Sequence, residues 1–255
     1  MVYNVITVKE THRALPTDRN GGIIMKKNLT ELVFIIDESG SMAGLVEDTI
    51  GGFNSLIEKQ KLENGEALVT TVTFNNNSKT VHDRKKLENV TKMTREDYVP
   101  SGCTALFDAV GETIMHISNI HKYVREEDIP EKTLFIITTD GMENASREYD
   151  QKKVKKLISR MQEEKCWEFI FLGANIDAAE TADSIGICAD NAVEYHSDCE
   201  GTGALYESVC CAVTNVRAKG AVGSAWRSSV ENDNARRETK ERKPVNIGFL
   251  GKILR

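Results

Sequence analysis

Three short segments, far apart in the chain, carry the side chains best suited to chemistry. Asp37-Glu38-Ser39-Gly40-Ser41 closes an apolar run, Leu32-Val33-Phe34-Ile35-Ile36. Ser101-Gly102-Cys103-Thr104-Ala105-Leu106-Phe107-Asp108 leads into an apolar-periodic stretch, and Leu134-Phe135-Ile136-Ile137-Thr138-Thr139-Asp140-Gly141 ends a second apolar run on an aspartate. A carboxylate with two hydroxyls offers hard oxygen donors without a surplus of formal charge. That set suits Mg²⁺, which demands octahedral geometry and keeps several waters. Ser and Gly after a strand are also ordinary turn and helix-cap residues, so the first segment gains meaning only from the other two.

The elements that must bring these segments together alternate in period. Residues 32–36 read as a strand buried on both faces. Val46, Ile50, Phe53 and Ile57 form one apolar helical stripe. Residues 67–74 and 78–82, joined by Asn75-Asn76-Asn77, read as a β-hairpin, because Asn tolerates the positive φ of tight turns. Leu106, Val110, Ile114 and Ile117 mark a second helix, residues 134–138 a buried strand, and Val154, Leu157, Ile158 and Met161 a third helix. Residues 167–172 then read as a strand, 176–184 as a short helix and 192–196 as a last strand. Leu205, Val209, Val213 and Val216 stripe a closing helix. This alternation predicts an α/β fold of the doubly wound, Rossmann-like kind: a mostly parallel sheet with one antiparallel edge strand and helices on both faces. Ligands of open α/β sheets bind outside the carboxyl ends of the strands, where Asp37 and Asp140 both stand.

The pattern D-x-S-G-S, then G-x-T-A-L-x-D-A some sixty residues on, then a strand ending T-D-G, resembles the von Willebrand factor A-type domain and its metal-ion-dependent adhesion site. The resemblance covers about residues 28–217 and is closest to the soluble bacterial members. It implies that Ser39, Ser41 and Thr104 give hydroxyl oxygens directly to Mg²⁺ or Mn²⁺, while Asp37 and Asp140 act chiefly through bound water or with one of them in direct contact. It also implies a non-enzymatic module that binds a protein partner through an Asp or Glu carboxylate of that partner. Cys103 departs from the family pattern, since it stands where glycine is common before the ligand threonine; a redox role there competes with simple packing. Asp108 could orient a rim residue or cap the helix, and Glu143 and Asn144 could contact a partner or belong to a polar loop.

A second reading makes Asp37 the nucleophile of a metal-dependent hydrolase or phosphatase. Phosphatases that place an Asp after the first strand need another carboxylate two residues later, and here that position is Ser39. No G-x-S-x-G elbow, catalytic His cluster or H-E-x-x-H motif supports an enzyme. Cys188, His196 and Cys199 have irregular spacing and lack a fourth zinc ligand.

The 255 residues are enough for one large domain or two small ones. The net charge of −6 divides unevenly: residues 28–216 hold 33 acidic and 18 basic side chains, and residues 217–255 hold 4 acidic and 10 basic. An acidic domain repels phosphates, which argues against a nucleic-acid reader. No segment has the roughly 20 apolar residues of a membrane span, the start of the chain lacks the pattern of a secretory signal, and the six cysteines form no C-x-x-C pair. These features point to a cytoplasmic protein with reduced thiols. Residues 1–27 read as an extension without regular structure, 28–217 as the A-type domain, and 218–255 as a solvated basic tail.

Overall fold

The computed structural model describes residues 26–241. Six strands form a single sheet: β1 (Lys26–Asp37), β2 (Glu66–Phe74), β3 (Ser78–Lys86), β4 (Pro130–Thr139), β5 (Glu168–Gly173) and β6 (Ala192–Glu194). Their order is β3-β2-β1-β4-β5-β6. Only β2 and β3 pair antiparallel, which puts the hairpin strand at an edge as the sequence predicts. The helices are α1 (Val46–Lys61), α2 (Leu106–Tyr123), α3 (Gln151–Lys165), α4 (Ala178–Ser184), α5 (Cys199–Lys219) and α6 (Ser228–Glu241).

Strand alternation divides the core into two layers. Leu32, Phe34 and Ile36 of β1 pack with α1 and α5, while Val33 and Ile35 pack with α2, α3 and α4. Both faces of β1 are therefore apolar, and a continuous hydrophobic run is the sequence such a strand requires. Helix starts are fixed locally. Asp150, Asp177 and Asp198 cap α3, α4 and α5 by accepting from the backbone N–H three residues on, each at 2.8 Å. On the first layer α1 and α5 approach closely at Gly52, where an added Cβ would lie 2.2 Å from the Tyr206 ring.

Two expectations need correction. β1 begins at Lys26, six residues before the apolar run, because its pairing with β2 and β4 extends ahead of that run. Glu31 is fully buried and accepts from Arg84 Nε and His121 Nε2, both at 2.6 Å. Beyond residue 217, the expected solvated tail contains structure. α5 continues to Lys219, a 3-10 turn follows at Ser224–Arg227, and α6 lies against α5. Trp226 and Val230 are each 1% exposed within the α1–α5 core layer. Two arginines of α6 pair with the start of α5: Arg237 grips Asp198 with two nitrogens at 2.5 and 2.8 Å, and Arg236 reaches Glu200 at 2.8 Å. The extension proposed over residues 1–27 lies outside the described residues apart from Lys26 and Lys27, and so does the part of the tail from 242 onward.

His82, buried on β3, gives the fold an expected pH dependence. Its ring lies between the hydroxyls of Thr71 (3.1 Å) and Thr91 (3.2 Å) and stacks on Phe53. Burial, helped by Lys85, lowers its pKa against smaller opposing contributions from Thr91 and Asp97. The unfolded chain therefore takes up this proton more readily than the folded one. Stability from this site is full above the ordinary histidine pKa of about 6.5 and declines as pH falls below it. Urea midpoints at pH 7.5 and 5.5 should drop further for wild type than for His82→Gln; equal drops would remove His82 from the account.

Candidate metal site

The carboxyl ends of β1 and β4 are neighbours in the sheet, so Asp37 and Asp140 emerge side by side. Asp37 is fully buried, with both oxygens engaged: Oδ1 accepts from the Ser39 N–H at 2.7 Å, and Oδ2 accepts from the Thr139 hydroxyl at 2.6 Å. Its backbone carbonyl accepts from Tyr98 OH at 2.6 Å. The Ser39 and Ser41 hydroxyl oxygens are 3.1 Å apart, and Ser41 donates to Asp140 Oδ1 at 2.5 Å. Four of the five predicted residues thus form one hydrogen-bonded network. Thr104, 4% exposed, has no hydrogen bond to it, but its hydroxyl lies beside the Asp140 loop: a Cβ added to Gly141 would be 3.8 Å from Thr104 Oγ1.

Burial raises the Asp140 pKa, with the charge of Asp37 adding to the effect and the Ser41 hydrogen bond opposing it. Two neighbouring carboxylates with no cation repel each other, and a bound cation would reverse that cost. The floor beneath them is built from tyrosines that stay neutral. Burial pushes the Tyr98 and Tyr195 hydroxyls well up, and the charge of Asp37 adds to the shift at both. The donors are all hard oxygens. The 3.1 Å separation of the serine oxygens is close to the edge of an octahedron with bonds of about 2.1 Å, roughly 3 Å. Among the described residues no group of three or more His, Cys, Asp or Glu side chains could hold a metal.

The loops carrying these donors are tied into one body. Gly40 N–H donates to the Gly102 carbonyl (3.1 Å) and Ser101 N–H to the Glu38 carbonyl (2.9 Å), while the Glu38 carboxylate accepts a short hydrogen bond from Val99 N–H. Gly102, at φ 71°, supplies the left-handed residue of its loop, which leaves Cys103 free of that demand. Its missing side chain also admits Asn76, whose Oδ1 would be 2.0 Å from a Cβ there. Cys103 is an exposed free thiol. Asp108 accepts from the N–H groups of Arg147, Glu148 and Tyr149 at 2.7 to 3.0 Å, so it anchors the loop after β4. Glu143 is likewise consumed within the fold. It accepts from Phe107 N–H, Ala145 N–H, Ser146 N–H and the Ser146 hydroxyl.

Sequence reasoning missed Glu38, Tyr98 and Thr139. Glu38 occupies the variable position of D-x-S, and its role depends on a loop sixty-one residues away. Thr139 precedes Asp140, where a strand-end threonine gives no signal of its own.

The fold is that of the von Willebrand factor A-type domain. No family model and no curated protein matches the sequence; the likeness comes from solved structures. Proximal thread matrix protein 1 from the mussel byssus superposes with a TM-score of 0.53 at 16% identity, covering 72% of this chain and 47% of that one. A form of the same mussel protein with a zinc-occupied MIDAS motif, the metal-ion-dependent adhesion site, gives a TM-score of 0.50 at 16% identity and covers 71% of this chain and 44% of that one. The von Willebrand factor type A protein from Catenulispora acidiphila gives a TM-score of 0.50 at 13% identity, with 76% and 44% covered. The chain therefore spans a little under half the length of these structures. Among the described residues no helix is long and apolar enough to cross a membrane.

Proposed function

We propose that this chain is a metal-dependent protein-binding module and not an enzyme. Mg²⁺ or Mn²⁺ is held by Ser39, Ser41 and Thr104, with Asp37 and Asp140 supporting it directly or through water. The observation that carries the reading is the network in which Ser41 links Ser39 to Asp140 beside the buried Asp37. Three neutral hydroxyls leave much of the cation's charge uncompensated, so the bound metal offers a Lewis-acidic position to an anionic oxygen. The partner supplies that oxygen from an Asp or Glu side chain, and the surrounding loops select the partner. A zinc-occupied MIDAS motif in the mussel protein supports a divalent cation as the ligand. The setting we propose is a cytoplasmic assembly.

The nucleophile reading of Asp37 finds no support in its surroundings, since the side chain is fully buried. Affinity capture with the full chain in Mg²⁺, repeated with a chelator, tests the proposal. The expected outcome is a partner retained only with metal and lost when one acidic residue of that partner is neutralised. Equal retention in chelator contradicts metal-mediated capture.

A further inference from the structure

The N-terminus of α2 meets the proposed metal site through the Thr104 loop, and the unpaired N–H groups of a helix start carry partial positive charge, which disfavours a cation nearby. Acceptors occupy these groups. Cys103 N–H donates to Asn76 Oδ1 at 3.0 Å and Ala105 N–H to the Asn75 carbonyl at 2.8 Å. Phe107 N–H donates to Glu143 Oε2 at 2.9 Å and Asp108 N–H to Ser146 Oγ at 3.0 Å. Thr104 itself is held twice by one residue: its N–H donates to Asn144 Oδ1 at 2.9 Å, and its carbonyl accepts from the Asn144 N–H at 3.0 Å.

We infer that Asn144 is a positioning residue of the metal site, clamping the Thr104 backbone from both sides so that its hydroxyl faces the Asp140 loop. This rests on the metal reading above. Asn144 lies four residues after Asp140, so the clamp joins the two loops that bring a hydroxyl and a carboxylate to the site. The backbone half of the clamp survives any side-chain change, whereas the Oδ1 half belongs to Asn144 alone. Residue 144 is exposed, so truncating it opens no cavity.

Mn²⁺ affinity, measured by titration calorimetry on the full chain, tests the assignment in a double-mutant cycle. Asn144→Ala should weaken Mn²⁺ binding about tenfold, the scale seen when a partner that orients a metal ligand is removed. Metal-free melting temperature should fall modestly, because the buried Thr104 N–H loses its acceptor, so affinities are compared well below the melting range of both chains. Asn144→Asp keeps the acceptor and adds negative charge, so it should bind Mn²⁺ at least as tightly as wild type. In a Thr104→Ala background the effect of Asn144→Ala should largely vanish, because the residue acts through Thr104. Wild-type affinity in Asn144→Ala, or the same loss in both backgrounds, overturns the inference while leaving the metal reading intact. A wild-type chain that takes up no Mn²⁺ overturns both.

Discussion

Trp226→Ala is expected to cost about 3–5 kcal/mol, the range for truncating a large buried aromatic. Trp226 is 1% exposed in the core layer between the sheet and α5, and its indole N–H donates to the Asp190 carbonyl at 3.2 Å. The substitution therefore leaves a cavity and removes a hydrogen bond beside the short strand β6. A chain ended at Gly220 loses Val230 and the Arg236 and Arg237 ion pairs as well, and it should be less stable still. Urea denaturation of the full chain and the two variants measures this directly. A loss below about 1 kcal/mol for Trp226→Ala would show that the segment after α5 is dispensable, as its composition alone suggests.

Asp140→Ala is expected to abolish stabilisation by divalent metal. A ligand that binds only the folded state at a hundredfold excess over its dissociation constant adds about 2.7 kcal/mol by mass action. Wild-type melting temperature should therefore rise with Mg²⁺ or Mn²⁺. The variant should not respond, because it lacks the carboxylate that Ser41 now contacts at 2.5 Å. The comparison without metal carries independent information. Removing Asp140 also removes a buried charge that repels Asp37, so the metal-free variant should be no less stable than metal-free wild type. A variant that is less stable in both conditions by the same amount would mean that Asp140 holds the loops and not a cation.

The parts of this fold that can be read from sequence are those in which local pattern and burial agree. Residues 32–36 are apolar at every position because β1 has helices on both faces, and the Val46, Ile50, Phe53 and Ile57 stripe matches the single buried side of α1. Pattern fails where a polar residue is buried by a distant partner. Glu31 lies just outside the apolar run of residues 32–36, yet it pairs with Arg84 fifty-three residues away and His121 ninety residues away. The charges of α6 read as a solvated tail because Asp198 and Glu200, which neutralise them, lie on the start of α5.

The same contrast runs through the site. Asp37, Ser39, Ser41, Thr104 and Asp140 stand out by residue type and by their places at strand ends and a helix start. The hydrogen bonds that hold them do not, because Glu38, Tyr98, Glu143 and Asn144 act through backbone groups of other loops. A backbone N–H is a partner that every sequence offers at almost every position, so no residue pattern reports which one is used.

The most direct test of the account is a Mn²⁺ titration of the full chain and of Asp140→Ala, followed by electron paramagnetic resonance of the free ion. The account predicts one bound Mn²⁺ per wild-type chain and loss of that binding in the variant. Absence of uptake by wild type, or equal uptake by both chains, would contradict it.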